Sequence, residues 1–228
     1  CSVMMFLKVF RFRYGEVSDK VNALILFMLL TFALPAQSQA AGPVRILALG
    51  DSLSAGYGLM QADAFPNQLQ RALNDDGIDA VVINAGVSGD TSAGGLSRLE
   101  WALSEGVDAV IIELGANDGL RGLDPGETFK NLDAILSKLK RRELAILLTG
   151  MRAPPNLGED YGREFSDIYP RLAKQHEVPF YPFFLEGVAT IAELNQEDTI
   201  HPNARGVRVV TKSILPYVKE MLQGIKSK

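Results

Sequence analysis

The 228-residue sequence has little of what stabilises small or metal-dependent proteins. Its single cysteine, Cys1, excludes an internal disulfide, and its two histidines, His176 and His201, exclude a zinc site built from three imidazoles. Basic charge is not in excess: 27 Asp+Glu outnumber 23 Lys+Arg, so the chain offers no positive field for a nucleic-acid backbone. Stability must therefore come from a hydrophobic core, and any imidazole base must be one of these two histidines.

Long apolar runs are also absent, with one exception near the amino terminus. Residues 21–35 are almost wholly apolar, follow a segment with four basic residues and run into the polar and small residues 37–41. This order predicts a secretory signal peptide over residues 1–40, cleaved after Ala40 or Ala41. An uncleaved membrane anchor is the alternative, although about 15 apolar residues fall short of the roughly 20 that a spanning helix needs. We therefore expect an exported protein with no stable membrane insertion after cleavage.

Short apolar runs alternate with helix-period segments through residues 42–228, without a repeat or a linker. The predicted strands are 44–49, 80–83, 109–114, 144–149 and 178–184. The predicted helices are 61–75, 92–104, 126–141, 160–176 and 203–223. Continuous apolar strands of this kind are typical of a parallel sheet covered by helices on both faces. The sequence thus predicts one α/β domain over 42–228, with its ligand site at the carboxyl ends of the strands.

Ser52 follows the first of these strand ends, in the segment Gly-Asp-Ser-Leu-Ser at 50–54. A serine in a glycine-flanked turn after a buried strand can present its hydroxyl to the crevice as a nucleophile. The alternative is that Ser52 only caps the following turn. The Gly-x-Ser-x-Gly elbow is absent because Ser54 occupies its last position, and no Gly-Lys-Ser/Thr follows to make a phosphate loop.

Asp198 and His201 stand in one loop just before the last predicted helix. At this spacing the carboxylate can accept from one ring nitrogen and leave the other free to take a proton from a serine. A solvated loop before a helix capped by Asn203 is the alternative. His176 ends a predicted helix, where we expect an ordinary solvated histidine. If the protein has a general base, the sequence predicts that it is His201.

Gly89 and Asn117 follow two other strand ends, where a backbone N–H and a side-chain amide can face a developing oxyanion. Glycine and asparagine are also common after strands because both favour turns, so neither residue by itself indicates an oxyanion hole. The order of the four elements along the chain is what favours catalysis.

Together these elements resemble the sequence blocks of the SGNH, or GDSL, hydrolase superfamily, at 50–54, Gly89, 115–118 and 198–201. Longer strings are most similar to a small bacterial periplasmic group that includes arylesterases and a multifunctional acyl-CoA thioesterase/lysophospholipase. These strings are 88–92, 117–122 and 200–203, and the resemblance spans about 44–222. It implies a flavodoxin-like three-layer sandwich with a five-stranded parallel sheet. One departure is Ala116, where relatives often have a second glycine; it leaves the implied roles intact.

The resemblance also implies the role of each site residue. Ser52 is the implied nucleophile, His201 the base and Asp198 its orienter, while the amides of Ser52 and Gly89 and the side chain of Asn117 form the implied oxyanion hole. The implied reaction is hydrolysis of small acyl or aryl carboxylic esters through an acyl-enzyme, extending to acyl thioesters and lysophospholipids, with no metal or cofactor. A carbohydrate O-acetylesterase of the same superfamily and a non-catalytic flavodoxin-like binding module remain alternatives.

Substrate selection is expected from the loops after the third and fourth predicted strands, 120–125 and 151–160. Loops of this length at strand ends often line binding sites, although ordinary connection is the alternative. The predicted apolar lining consists of Leu120, Met151, Pro154, Pro155 and Leu157. An apolar groove would favour acyl or aryl esters over acetylated sugars.

Overall fold

The computed structural model describes residues 42–104 and 106–226, so the predicted signal peptide lies outside the described residues. The strands are β1 (Val44–Gly50), β2 (Ala80–Gly86), β3 (Ala109–Glu113), β4 (Ala145–Thr149) and β5 (Phe180–Tyr181). The helices are α1 (Ser52–Ala55), α2 (Phe65–Asp75), α3 (Ser92–Ala102), α4 (Ala116–Leu120), α5 (Pro125–Arg141), α6 (Glu159–His176) and α7 (Ala204–Lys226). Three 3₁₀ turns cover Gln61–Asp63, Pro155–Leu157 and Ala192–Leu194.

The five strands form one parallel sheet in the order β2-β1-β3-β4-β5. This is the flavodoxin-like order, in which β1 and β3 diverge at the switch point where ligands bind. Helices α2 and α7 pack together, and α5 contacts α3 and α6, so the sheet lies between two helical layers. The predicted α/β three-layer sandwich is confirmed.

The core lies on both faces of the central strands, as their composition predicts. Every residue of β3 is buried, and residues 46–50 of β1 are buried too. Branched apolar side chains suit such strands, and burying one fully contributes about 1.5–3 kcal/mol. The rigid centre of the sheet therefore supports the loops that follow β1 and β3. In the part of the chain that the structure describes, none of the helices is both long and apolar enough to cross a bilayer.

Several element boundaries differ from the sequence prediction by a few residues, and proline explains two of these differences. The fifth strand was predicted over 178–184 but is limited to Phe180–Tyr181, because Pro179 and Pro182 have no N–H to donate to a ladder. The helix predicted over 61–75 begins at Phe65, with Pro66 in its first turn, where a missing N–H is tolerated. After β5 the chain is thus free to turn across the carboxyl edge of the sheet.

Two short helices were not predicted at all. They are α1 and α4, of four and five residues, and each begins within three residues of the end of a central strand. Segments this short bury too little to leave a periodic pattern in the sequence. Their amino ends carry Ser52 and Asn117, so they position two of the predicted site residues.

Candidate active site

Ser52 is the first residue of α1, directly after the buried carboxyl end of β1. Asp51 caps this helix: its Oδ1 accepts from the amide of Leu53 at 3.0 Å. Gly56 ends the helix in the left-handed region, with φ of 80°, which glycine adopts without steric strain. The turn therefore holds Ser52, half-buried, at the carboxyl edge of the sheet.

His201 belongs to a loop that Asp198 holds together. Asp198 Oδ1 accepts from the amides of Ile200 at 3.1 Å and His201 at 3.0 Å, while Asp198 Oδ2 lies 2.6 Å from His201 Nδ1. Thr199 takes φ of 64°, a strained value for a β-branched residue and one typical of functional loops. The carboxylate thus fixes both the backbone of the loop and the plane of the imidazole.

The structure brings Ser52 and His201 together although 149 positions separate them. His201 Nε2 lies 2.9 Å from Ser52 Oγ, and the ring of Tyr57 packs against the imidazole with centroids 4.6 Å apart. With Nδ1–H donating to Asp198, Nε2 is left as the acceptor for the Ser52 hydroxyl proton. This is the geometry of a hydroxyl activated by an oriented base.

The charge on Asp198 is favoured by its own hydrogen bonds. Burial would raise the pKa of Asp198, but the amides of His201 and Ile200 and the His201 ring donate to the carboxylate and bring its pKa below the ordinary 3.8. Asp198 is therefore ionised at neutral pH, and it can stabilise an imidazolium on His201.

Asn117 and Gly89 lie at the same edge as Ser52. Asn117 Nδ2 donates one hydrogen to Asp51 Oδ2 at 3.0 Å, which leaves its second amide hydrogen available. Gly89 has φ of 81°, and its carbonyl accepts from Arg121 Nη2 at 2.9 Å. Among residues 42–104 and 106–226, the amides of Ser52 and Gly89 have no acceptor. Two backbone donors and one side-chain donor are thus available at this edge.

Two buried carboxyl groups beneath Ser52 are not among the residues predicted from sequence. Asp51 is fully buried, and desolvation raises its pKa from 3.8 to about 6 although Leu53 and Asn117 donate to it. Glu113 is also fully buried, and burial raises its pKa well above the ordinary 4.5. The available signal for Glu113 was a glutamate closing the otherwise apolar strand Ala109–Glu113.

A crevice of about 450 Å³ opens beside Ser52, Asn117 and His201. Of the predicted lining residues, Leu120, Met151 and Pro154 lie in its wall. Pro155 and Leu157 do not: they form a 3₁₀ turn outside the lining. The wall also contains apolar side chains that the prediction omitted, namely Ala153, Phe183, Leu185, Ala189 and Ile200.

The missed wall residues have a structural explanation. Phe183 and Leu185 lie just after β5, in a stretch partly assigned to a longer fifth strand. Because Pro182 ends the sheet pairing, this stretch crosses the carboxyl edge instead of continuing the strand. Its backbone passes so close to Gly150 that a Cβ there would overlap the Pro182 carbonyl.

The departure from the superfamily pattern at Ala116 is harmless to the backbone. Gly115 has φ of 112°, and a Cβ there would overlap the Tyr169 hydroxyl, so position 115 requires glycine. Ala116 is an ordinary first helical residue and belongs to the crevice lining. A methyl group at 116 therefore narrows the crevice slightly without changing the path of the chain.

His176, expected to be a solvated histidine, is instead paired. Its Nε2 lies 2.7 Å from Asp133 Oδ1, and only 11% of its side chain is exposed. The helix end that carries it packs on α5, which a sequence pattern of α6 alone does not reveal. His176 is remote from the Ser52 crevice, because no wall residue of that crevice belongs to α6.

A larger concavity, about 660 Å³, lies at the opposite, amino edge of the sheet, among the residues next to β3, β4 and the end of α7. Its wall contains neither serine nor histidine. In the described part of the chain no three His, Cys, Asp or Glu side chains are grouped as metal ligands. The hydroxyl, the imidazole and the amide donors thus meet only at the carboxyl edge among the described residues.

Comparison with known proteins agrees with this geometry. The model of the GDSL-like Lipase/Acylhydrolase family matches residues 48–209. The chain is 44% identical over 179 residues to an arylesterase of Vibrio mimicus, covering 78% of this chain and 88% of that one. It is 43% identical over 181 residues to thioesterase 1/protease 1/lysophospholipase L1 of Escherichia coli K12, covering 78% and 82%.

A solved structure gives the same result. The psychrotrophic esterase EstA of a Pseudoalteromonas species, inhibited by monoethylphosphonate, superposes with a TM-score of 0.75 at 34% identity. The match covers 78% of this chain and 98% of that one. The chain belongs to the GDSL-like Lipase/Acylhydrolase family, the SGNH hydrolases, and is an ester hydrolase.

Proposed function

We propose that the protein is a serine esterase in which Ser52 is the nucleophile, His201 the general base and Asp198 the residue that orients the base. The single observation that supports this is the 2.9 Å contact of Ser52 Oγ with His201 Nε2, continued by the 2.6 Å contact of His201 Nδ1 with Asp198. A histidine that only stabilises the fold would not require a serine hydroxyl on one ring nitrogen and a carboxylate on the other, both at the mouth of a crevice. The arrangement is that of the catalytic triad.

Each step of the reaction moves a proton through His201. Ser52 Oγ attacks the ester carbonyl carbon while His201 Nε2 takes its proton, giving a tetrahedral oxyanion and an imidazolium next to Asp198. The carbon–leaving-group bond then breaks, and the imidazolium protonates the departing alcohol, phenol or thiol. Water next attacks the acyl-enzyme, giving its proton to His201 Nε2. Collapse of this second oxyanion releases the acid and returns the proton to Ser52 Oγ.

The oxyanion is held by the amides of Ser52 and Gly89 and by the Asn117 side chain. The two amides have no acceptor among the described residues, and Asn117 keeps one amide hydrogen beyond the one it gives to Asp51. Asp51 thereby fixes the orientation of Asn117 before substrate arrives. One such preorganised donor contributes about 3 kcal/mol to the lowering of the barrier.

The substrates we propose are esters with an acyl or aryl group, and by extension acyl thioesters and lysophospholipids. The crevice supports this choice because its volume, about 450 Å³, is far more than an acetyl group fills, and its wall is largely apolar. The named activities of the Vibrio mimicus and Escherichia coli relatives point the same way. A chain-length series of p-nitrophenyl esters tests it: we expect an optimum beyond acetate. A sharp optimum at acetate would favour the carbohydrate O-acetylesterase instead.

We also propose that residues 1–40 are a signal peptide, that 42–228 form the hydrolase domain, and that the mature enzyme is periplasmic or secreted. The support is the order of basic, apolar and small residues before position 41. Sequencing the amino terminus of protein recovered from a periplasmic extract tests it. A new terminus at residue 41 or 42 is expected, whereas retention of residues 21–35 would contradict the proposal.

The decisive experiment concerns Ser52. A fluorophosphonate probe should label the wild-type protein, because Ser52 Oγ displaces fluoride from phosphorus and forms a stable ester. Ser52→Ala should abolish both labelling and hydrolysis of a p-nitrophenyl ester. The matched control is Ser97→Ala, which removes an exposed hydroxyl bonded only to the Gly94 carbonyl and should keep both signals. Wild-type hydrolysis by Ser52→Ala would refute the mechanism, and an unlabelled wild type would indicate the non-catalytic binding module.

A further inference from the structure

Glu113 is a carboxylic acid at the end of the most deeply buried strand. It is the last residue of β3, it is fully buried, and it pairs in register with Gly50 of β1. Gly50 makes room for it, since a Cβ at position 50 would overlap Glu113 Oε2 and Ser54 Oγ. Burying a carboxyl group in such a place is unfavourable unless its surroundings compensate, so it calls for a specific explanation.

One oxygen of Glu113 holds both sides of the turn that carries Ser52. Glu113 Oε2 accepts from the amide of Asp51 at 3.2 Å, from the amide of Ser54 at 3.1 Å and from the Ser54 hydroxyl at 2.7 Å. These donors lie one residue before and two residues after Ser52. The position of Ser52 Oγ relative to His201 is therefore set from beneath by this single acceptor.

The other oxygen indicates the protonation state. Glu113 Oε1 is buried and has no hydrogen-bond partner among the described residues. Burying an oxygen without a hydrogen-bond partner is less unfavourable on a neutral carboxylic acid than on a carboxylate, because the charge of the carboxylate would be left without compensation. Its titratable neighbours are Asp51, whose charge further raises the pKa of Glu113, and Tyr169, whose hydroxyl donates to the Leu114 carbonyl at 3.1 Å. No basic side chain pairs with Glu113 within the described ranges.

We propose that Glu113 is a positioning residue of the esterase, a neutral acid whose Oε2 anchors the Ser52 turn so that the hydroxyl meets His201. The proposal rests on the function proposed for Ser52. Neutrality matters as much as the anchor, because it leaves Asp51 as the only carboxyl group beneath the turn that ionises near neutral pH. Because Oε2 accepts from three donors, we assign the proton of the neutral acid to Oε1, where it is a buried O–H without an acceptor among the described residues.

Two substitutions at position 113 separate the anchor from the charge. Glu113→Gln keeps an oxygen for the three donors and places an NH₂ group where the protonated Oε1 lies, so it should retain most of the wild-type kcat. Glu113→Leu keeps the approximate volume but leaves the amides of Asp51 and Ser54 unpaired. Misplacing a nucleophile by about 1 Å lowers the rate by about 10²-fold, so we expect a loss of that size in kcat with little change in KM.

The control is Thr149→Val, which also removes a buried polar group at a strand end. Thr149 Oγ1 donates to the Ile112 carbonyl at 2.9 Å and does not touch the Ser52 turn. Thr149→Val should lose stability in a urea titration while keeping its kcat. A fall in kcat for Thr149→Val as large as that for Glu113→Leu would reduce the role of Glu113 to general stability and overturn the proposal.

The pH profile provides the readout that a purely structural role would not alter. If Glu113 is neutral in the working enzyme, the acid limb of kcat/KM for Glu113→Gln should coincide with that of the wild type. A limb displaced to lower pH would mean that a negative charge had been removed, and a 10²-fold loss of kcat in folded Glu113→Gln would mean that the acid itself is required. Either result overturns the proposal. Fluorophosphonate labelling of wild type but not of Ser52→Ala, run in parallel, shows separately whether the underlying mechanism holds.

Discussion

Two imidazole–carboxylate pairs occur in this molecule, and their contacts are nearly the same. His201 lies 2.6 Å from Asp198 and His176 lies 2.7 Å from Asp133, with 16% and 11% of the histidine side chains exposed. Only His201 has a hydroxyl on its second ring nitrogen, at 2.9 Å. Within the described residues no such group contacts the second nitrogen of His176.

An imidazole–carboxylate pair is therefore not by itself sufficient for general-base catalysis. His176 ends α6 and joins it to α5, and no residue of α6 lines the Ser52 crevice. His201 lies at the carboxyl edge, beside amide donors and an apolar crevice. An imidazole oriented by a carboxylate becomes a general base only where a nucleophile and an oxyanion site share its other side.

The largest predicted effect is that of removing the His201 imidazole. His201→Ala should lower kcat for a p-nitrophenyl ester by about 10⁴-fold or more, because among the described residues His201 Nε2 is the base in contact with Ser52 Oγ. The thermal unfolding midpoint should change little, since the loop is held through Asp198 and its backbone contacts. Steady-state kinetics and circular dichroism check both.

Non-additivity provides the control for this prediction. When two residues act as one catalytic unit, replacing either of them removes most of the rate that both provide. The double variant Ser52→Ala, His201→Ala should therefore have a kcat no lower than that of Ser52→Ala alone. If the double variant were slower by the full factor of His201→Ala, the two residues would act independently and the 2.9 Å contact would be incidental to catalysis.

The oxyanion site gives the next largest effect. Asn117→Ala should lower kcat by about 10²–10³-fold with a nearly unchanged KM, because the amide donates to charge that exists only in the transition state. The same kinetic experiment on Asn131→Ala is the matched control. Asn131 donates to the Ser92 hydroxyl at 3.1 Å, away from the crevice, and its loss should leave kcat unchanged. A loss expressed mainly in KM for Asn117→Ala would contradict the oxyanion role.

The buried part of the site, beneath Ser52, differs from the exposed His201 loop in containing Asp51, whose titration should make the free energy of unfolding depend on pH. Its pKa is raised from 3.8 to about 6 by burial, so the folded state holds the Asp51 proton more tightly than the unfolded state. Its contribution to stability is therefore fully present below about pH 4 and is lost as the pH rises through about 6. The shift corresponds to about 3 kcal/mol at most.

Asp51→Asn removes this titration. Relative to the wild type, its free energy of unfolding should rise between pH 4 and pH 7.5 by up to about 3 kcal/mol, as measured by urea titration. Its kcat should fall, because the amide has one acceptor oxygen where the carboxylate has two, so it cannot hold both the Leu53 amide and the Asn117 side chain as Asp51 does. A difference that does not vary with pH would show that Asp51 is not the buried titrating group.

The contacts proposed for catalysis were more predictable from the sequence than the buried contacts that support them. Ser52 and Asn117 follow strand ends, and parallel strands bring their carboxyl ends to one edge whatever the details of packing. His201 lies in the loop before α7, and this loop reaches the same crevice. Glu113 lies in the core, and its contact with the Ser52 turn depends on which turn packs above it. Phe183 lines the crevice because the chain leaves the sheet at Pro182. Such contacts depend on three-dimensional packing, so no characteristic spacing of residues in the sequence reveals them.

The same reasoning explains why sequence patterns single out His201 as the candidate base but predict the wrong surroundings for His176. The position of a residue relative to a strand end is local and can be predicted, whereas the packing of α6 on α5 joins residues 43 positions apart. The last residue of a helix is usually solvated, and the contact with Asp133 is an exception that only the helix arrangement reveals.

His176→Ala is the smallest predicted effect and completes the comparison. It removes a partly buried pair between α5 and α6, so the free energy of unfolding should fall by about 1 kcal/mol while kcat and KM stay at wild-type values. Gln175 Nε2 also donates to Asp133, at 2.7 Å, so the carboxylate keeps one partner and the loss stays small. Urea titration and p-nitrophenyl ester kinetics on the same preparation measure both. A tenfold fall in kcat without loss of stability would place His176 in the catalytic path, and the distinction between the two pairs would then fail.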